Sequence, residues 1–402
     1  MPTHETKGLS RRGFLGASVG AVVGAGIGPG CTPEPPEGTG GAGGTSSGGS
    51  PGTGGSSAGG VSAAGQSSGG KSTGGTSSGG KSTGGTSSGG KSSGGTSSGG
   101  TGADGGALPK VCLVRNTDVG QAVRDAVAAV GGLPDLTGKT VLLKPNLNSN
   151  EGPPTSPNPE VMRAAIRMAK ERGATRVIVG DRSNPSYDTL QAMRAAGIYD
   201  VAIAEGAEAM NFNGQATRLV TPAGATHWPN GFATYVVILD DVDYIINCPC
   251  CKHHSMANYT MSMKAWMGII VQNDRNTAHS DLGNRLPELH LGVKEDFVIL
   301  DATKALLTRG PGLSGALQAS PGIVVASADA VAADVTGLCI MKHYLKQANQ
   351  ADSAIDNYTV WTQPQMVRAL ALNNGWMSNQ AQYTYTSQGI SEIQTIMQYL
   401  NA

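Results

Sequence analysis

The chain has 402 residues, with 29 Lys and Arg against 29 Asp and Glu, so its formal net charge is zero and its lysines form no basic stripe. That balance argues against a nucleic-acid partner, whose phosphates select clustered cations. Of its residues 60 are glycine, concentrated ahead of residue 108, so the folded part has to be judged from there onward.

At the N-terminus, Ser10-Arg11-Arg12-Gly13-Phe14-Leu15 precedes an uncharged run of small apolar residues from Ala17 to Ile27. Paired arginines ahead of such a run read as a twin-arginine export signal, and the run is too short and glycine-rich to span a bilayer. The expected location is therefore the periplasm or cell envelope, reached by a route that carries proteins already folded and often loaded with a cofactor. Cys31 follows where a lipoprotein signal places its lipidated cysteine, although Gly28 stands where a branched residue is expected. Two readings stay open, a lipid anchor on Cys31 or an unlipidated thiol near a cleavage site. A membrane enters only through that anchor.

Residues 32–107 are almost entirely Gly, Ser, Thr and Pro, with "GGKSTGGTSS" at Gly69 and again at Gly79. The repeat carries no apolar residue to bury, so stacking it gains nothing. It reads as a flexible tether of about 75 residues, with a root-mean-square reach of ~50 Å. The third segment, 108–402, is long enough for one large domain or two closely packed lobes.

Within it, strand-like runs alternate with helical patterns. "VCLVR" from Val111, a helix from Val119 to Val130, "TVLLK" from Thr140, a helix opened by Pro159-Glu160 and "RVIVGD" ending at Asp181 come first. A helix around Thr189 to Ala196 follows, then "YVVIL" from Tyr235, "YIINC" from Tyr244, "FVILD" ending at Asp301 and "GIVVAS" ending at Ser327. The last patterns are a helix "ADAVAADVTGLCIM", with Asp329 as its N-cap, and another from about Ser391. This order predicts an α/β fold, a mainly parallel sheet with helices on both faces.

Polar residues end these runs on their C-terminal side: Lys144 with Asn146, Asp181, Cys248 and Asp301. In open α/β sheets ligands bind outside the carboxyl ends of strands, which makes Lys144, Asn146, Asp181 and Asp301 candidates for one ligand site.

"NCPCCKHHSMANYTMSMKAWMGII", Asn247 to Ile270, packs three cysteines and two histidines ahead of an apolar stripe. Met256, Tyr259, Met263, Trp266, Met267 and Ile270 fall at helical spacing, predicting a helix after a strand that stops at Pro249. Lys252, His254 and Lys264 then cluster around the turn, where two ammonium groups and an imidazole repel unless an anion sits among them. Cys248, Cys250 and Cys251 give a second reading, a Zn, Cu or iron–sulfur clamp, although the usual Cys-x-x-Cys spacing is absent. A disulfide from Cys250 or Cys251 to Cys112 or Cys339, or buried free thiols, are the other readings. A hard-cation site would draw on Asp181, Asp301 and Asp334.

"VLLKPNLN", "NPEVMRAAIRMAKERGATRVIVGD", "CKHHSMANYTMSMKAWMG", "FVILDATKALLTRGPG" and "IVVASADAVAADVTG" occur in this order between Leu108 and about Gly337. In motif order and spacing they resemble the prokaryotic family known as DUF362, a domain of unknown function. The resemblance implies a Lys-x-His after a strand and a Thr-x-x-x-Lys ahead of a Gly, here Lys252, His254, Thr260, Lys264 and Gly268, which adds Thr260 to the ligand site. Ala265 stands where relatives commonly have Asn. The CxxCxxCxxxCP ferredoxin segment of many relatives has no counterpart after Gly337, so a built-in iron–sulfur carrier is not implied.

Two functions fit these residues. One is an exported enzyme, redox-linked or not, acting on a small anionic or carbonyl-bearing ligand, with Lys144, Lys252 and Lys264 neutralising it, His254 as general acid/base and Asp181 or Asp301 orienting it or holding a cation. The other is a tethered lipoprotein that uses the same pocket to capture a ligand or a partner without chemistry.

Overall fold

The computed structural model describes Leu108 and residues 110–401. The export signal, Cys31 and the Gly/Ser/Thr-rich tether lie outside the described residues.

The chain opens with β1 (Val111–Arg115), α1 (Val119–Ala129), β2 (Thr140–Pro145), α2 (Pro159–Glu171) and β3 (Arg176–Asp181). Each helix starts where the sequence supplies a cap. Asp118 accepts from the Gln121 amide at the head of α1, and Asn158 accepts from Glu160, with Pro159 in the first turn of α2. Two short helices, α3 (Thr189–Ala195) and α4 (Ile198–Ala204), lead to β4 (Glu208–Asn211) and a separate antiparallel pair, β5 (Thr217–Val220) and β6 (Phe232–Tyr235).

The chain returns to the main sheet with β7 (Tyr244–Cys248), followed by β8 (Cys250–His254) and β9 (Asn258–Thr260). Helices α5 (Ser262–Ala265), α6 (Gln272–Ala278) and α7 (Leu282–Gly292) precede β10 (Phe297–Leu306), β11 (Gln318–Ala319) and β12 (Ile323–Ser327). Helix α8 (Ala330–Gln347), capped by Asp329 as its sequence implies, leads to the edge strand β13 (Tyr385–Gln388).

The main sheet runs β13-β1-β12-β10-β7-β2-β3-β4. Pairing from β10 through β7, β2 and β3 to β4 is parallel, as is β1 with β13, while β12 runs antiparallel between β1 and β10. The fold is thus the mixed α/β sandwich expected, with a mostly parallel sheet.

Both sheet faces are buried because successive side chains alternate across it. Val111 and Leu113 enter one core with Val331, Val335 and Leu338 of α8, whereas Cys112 and Val114 enter another with Val123 of α1 and Ile166 of α2. Leu142 and Ile178 face a third cluster with Trp266, Leu286 and Leu289. Among the described residues no helix is long and apolar enough to cross a membrane.

Two stretches depart from expectation. "YVVIL" is not a strand: β6 ends at Tyr235, where its register with Thr217 is the last pair, and Val237–Asp241 winds into a π-helix that buries Ile238. The apolar stripe of 256–270 is not one helix either. Residues 250–260 fold as the β8–β9 hairpin, Met256 is 59% exposed at its tip, and only Ser262–Ile269 winds, as α5 and a 3-10 turn.

Pro249 has a larger effect than ending a strand. β7 pairs with both β2 and β10, and the Asp301 amide donates to the Pro249 carbonyl at 2.9 Å. Beyond Pro249 the chain, as β8, keeps β10 but no longer β2 as a neighbour and takes β9 on its other side, with Asp301 opposite Cys250 and Leu306 opposite Lys252. Since β2 ends at Pro145, the sheet forks there.

Candidate functional site

The fork holds a narrow, half-open crevice. Its walls come from the ends of β2 and β3, the β8–β9 hairpin, α5 and α6. Lys252 and His254 are two apart on β8 and so share a face, and Thr260 stands opposite Lys252 in the antiparallel register. Lys264 reaches in from α5, and Asn146, Asp181 and Arg275 line the remaining walls.

The floor is a closed ion pair. Lys144 Nζ lies 2.7 Å from Asp181 Oδ1 and donates to the Pro145 carbonyl at 2.7 Å. Asp181 also accepts from the Arg182 and Leu147 amides at 2.7 and 2.8 Å, so both of its carboxylate oxygens are engaged. Burial pulls the Lys144 pKa down and pushes that of Asp181 up, each opposed by the partner's charge. Gly268 packs directly on this pair: a Cβ there would stand 1.8 Å from Asp181 Oδ1 and 2.8 Å from Lys144 Nζ.

Above the floor the charges are not balanced. Lys252, 1% exposed, donates to the Thr155 carbonyl at 2.7 Å, and burial lowers its pKa. Arg275 donates to the Ser183 and Arg182 carbonyls at 2.6 and 3.3 Å. Lys264, 8% exposed, has no hydrogen-bond or ion-pair partner among the described residues. Burial, followed by repulsion from Arg275, Lys252 and Lys144, brings its pKa from 10.5 down to about 7. That shift is worth roughly 5 kcal/mol against the charged form.

His254 is held in one tautomer. Its Nδ1 accepts from the Met256 and Ala257 amides at 3.1 and 3.3 Å, so Nδ1 carries the lone pair and Nε2 carries the hydrogen. Burial and then the charges of Lys264 and Lys252 press its pKa down to about 2. The ring is a neutral N–H donor across the physiological range. Thr260 Oγ1 and Asn146 Oδ1 are buried without a hydrogen-bond partner among the described residues.

The structure thus gathers Lys252, His254, Thr260, Lys264, Asn146 and Asp181 around one crevice, with Lys144 beneath it. Asp301 is not among the lining residues. Its carboxylate accepts from the Asn158 and Thr303 amides at 2.6 and 2.8 Å, which anchors the loop leading into α2. Asp334 likewise accepts from the Ser262 and Met263 amides at 2.8 and 3.3 Å and so caps α5. Arg275 and Arg182 escaped sequence reasoning, since an arginine in "QNDRNTAHS" looks like a solvated helix face; its only signal was a place one helix beyond Lys264.

The cysteine clamp does not assemble. Cys250 and Cys251 are neighbours on a strand and point to opposite faces; Cys251 lies in the α8 core with its Sγ on the Gly337 carbonyl, whereas Cys248 lies in the α1–α2 core. The five described cysteines are free and buried, and burial pushes the thiols of Cys248, Cys250 and Cys251 up, away from the thiolate a metal needs. Among the described residues no three His, Cys, Asp or Glu side chains are grouped to hold a metal ion.

No curated protein and no solved structure matches the chain. The family model described as "Domain of unknown function (DUF362)" matches residues 141–338, a span that contains every residue lining the crevice. The chain therefore carries a DUF362 domain, and its candidate site lies wholly inside that domain.

Proposed function

We propose that the crevice binds a small anionic or carbonyl-bearing ligand and that the chain is an enzyme in which Lys264, rather than His254, performs the acid/base step. One observation carries this reading: a buried ammonium, Lys264, stands beside Lys252 and Arg275 with no counter-charge among the described residues. An anion entering the crevice would relieve that repulsion, and the low-dielectric walls would strengthen its attraction to all three cations. A base working at neutral pH needs a pKa near 7. Lys264 meets that condition, whereas His254 can only donate from Nε2 and would polarise a carbonyl or hold an anionic oxygen.

The test is calorimetric titration with phosphate, oxalate, pyruvate and succinate at pH values on either side of Lys264's titration. At least one anion should bind the native chain and lose most of its affinity in Lys264→Met. Equal affinity in that variant, or no binding by any of the four, would sink the proposal.

The Gly/Ser/Thr-rich segment 32–107 favours a second reading, a tethered binder without turnover. Chemical change of a bound carbonyl ligand, followed by NMR, separates the two. Both readings place the protein outside the cytoplasm. Replacing Arg11 and Arg12 together with lysine should leave it in the cytoplasmic fraction, and normal export of that variant would remove the twin-arginine assignment.

A further inference from the structure

The cations of the site are not equivalent in what their nitrogens already do. Lys144 is engaged by Asp181 and the Pro145 carbonyl, Lys252 by the Thr155 carbonyl, and Arg275 by the Ser183 and Arg182 carbonyls. Lys264 alone among these four donates to nothing in the described residues, and it is also an amine, able to present a lone pair once deprotonated. An engaged lysine would have to surrender hydrogen bonds before its nitrogen could attack; Lys264 would not.

The surroundings supply the other parts that attack on a carbonyl requires. His254 Nε2–H is a fixed donor for the carbonyl oxygen, because both backbone amides on Nδ1 would be stranded if the tautomer changed. Thr260 Oγ1, buried in the lining and without a partner among the described residues, can pass a proton between nitrogen and oxygen. Arg275, lowered only to about 10, stays charged to hold a carboxylate beside the carbonyl, and Lys252 Nζ on the same wall is a further donor for it. Asp181, the lone carboxylate of the lining residues, is spent on Lys144 and two amides.

From this arrangement we infer that Lys264 forms an imine with a small 2-oxo acid, whose carboxylate sits on Lys252 and Arg275 while its keto oxygen accepts from His254. The inference rests on the anion-binding reading above and adds a covalent step to it. The neutral amine adds to the keto carbon, forming the C–N bond as the C=O pair moves onto oxygen. A proton passes from nitrogen to that oxygen, giving the carbinolamine. Taking up one further proton, the carbinolamine breaks its C–O bond and releases water, leaving the protonated imine. Nothing is oxidised or reduced. A lysine desolvated beside other cations is a recognised way of readying an amine for this reaction, and the pKa of about 7 leaves a substantial neutral fraction at neutral pH.

The full chain is incubated near neutral pH with pyruvate or 2-oxoglutarate and sodium cyanoborohydride, which reduces an imine but not the keto acid at comparable rates. Intact mass and peptide mapping then locate the adduct. The expected result is one carboxyalkyl group per chain, on Lys264, suppressed by excess oxalate and absent in Lys264→Arg, which keeps the charge but cannot form the imine. Calorimetry without reductant runs in parallel. Binding of either oxo acid without an adduct at Lys264 overturns the imine and leaves the anion site standing. Adducts spread over exposed lysines such as Lys110 and Lys304 overturn it too. Failure of oxo acids, oxalate and phosphate alike to bind removes both readings. Should Lys264→Arg fail to fold, the labelled position in the native chain decides by itself.

Discussion

Lys144 and Lys264 lie in one site and are both buried, yet one has a carboxylate at 2.7 Å and the other has no partner among the described residues. The Lys144–Asp181 pair is bound up with Leu147, Arg182 and Gly268, so it acts as part of the framework. Lys264 is stabilised by nothing equivalent and pays for its position with a depressed pKa. The lesson is that burial of a lysine does not by itself mark function; what marks it is burial without compensation.

Replacing each lysine by methionine should split them most widely. Lys144→Met leaves Asp181 buried without its counter-charge and should cost about 3–5 kcal/mol in urea unfolding. Equal stability in that variant would mean the pair is dispensable and the contrast unfounded. Gly268→Ala comes next, since the added Cβ meets the pair directly; a loss of about 1–3 kcal/mol, with the crevice deformed and anion affinity reduced, is expected.

Lys264→Met should move the other way, gaining roughly 1–3 kcal/mol while abolishing anion binding. Because Lys264 is held below the lysine value of the unfolded chain, the unfolded state binds more protons from about pH 7 up to the usual lysine range. Stability from this group therefore rises with pH across that window, and the advantage of Lys264→Met should shrink as pH is raised. The smallest effect sharpens the comparison further. An anion binds best to protonated Lys264, so its dissociation constant should climb as pH rises through about 7, approaching tenfold per unit. A pH-independent constant in that range would detach Lys264 from the ligand.

Much of this was readable beforehand. Runs such as "TVLLK" and "RVIVGD" are β-branched and bounded by turns, and parallel strands ending in Lys144 and Asp181 had to bring those residues to one edge of the sheet. The hairpin was not readable. Lys252 and His254 obey a period of two, while Tyr259, Met263, Trp266 and Met267 obey a helical one, and over so few residues the two patterns overlap. The cysteines misled for the same reason, because adjacency in sequence means opposite faces once the segment is a strand. Asp301 does not end its strand as the sequence suggests: β10 runs on to Leu306, which leaves Asp301 mid-strand with its carboxylate on the Asn158 and Thr303 amides and not among the residues lining the crevice. His254 was read as an acid/base from its residue type, and only the two amides on Nδ1 revealed which nitrogen holds the proton.

The fork at Pro249 ties the size of the chamber to its charge. Lys252 and Lys264 ride on the β8–β9 hairpin and α5, and Arg275 on α6, whereas Asn146 to Asn148 belong to a loop held by Asp301 through Asn158 and by Glu151 through the Leu313 amide. That loop also carries the Thr155 carbonyl that receives Lys252 and the Leu147 amide that donates to Asp181. Lengthening or shortening it would resize the chamber and shift its electrostatics together, so redesign of this scaffold for a different guest molecule has to treat the two as one property.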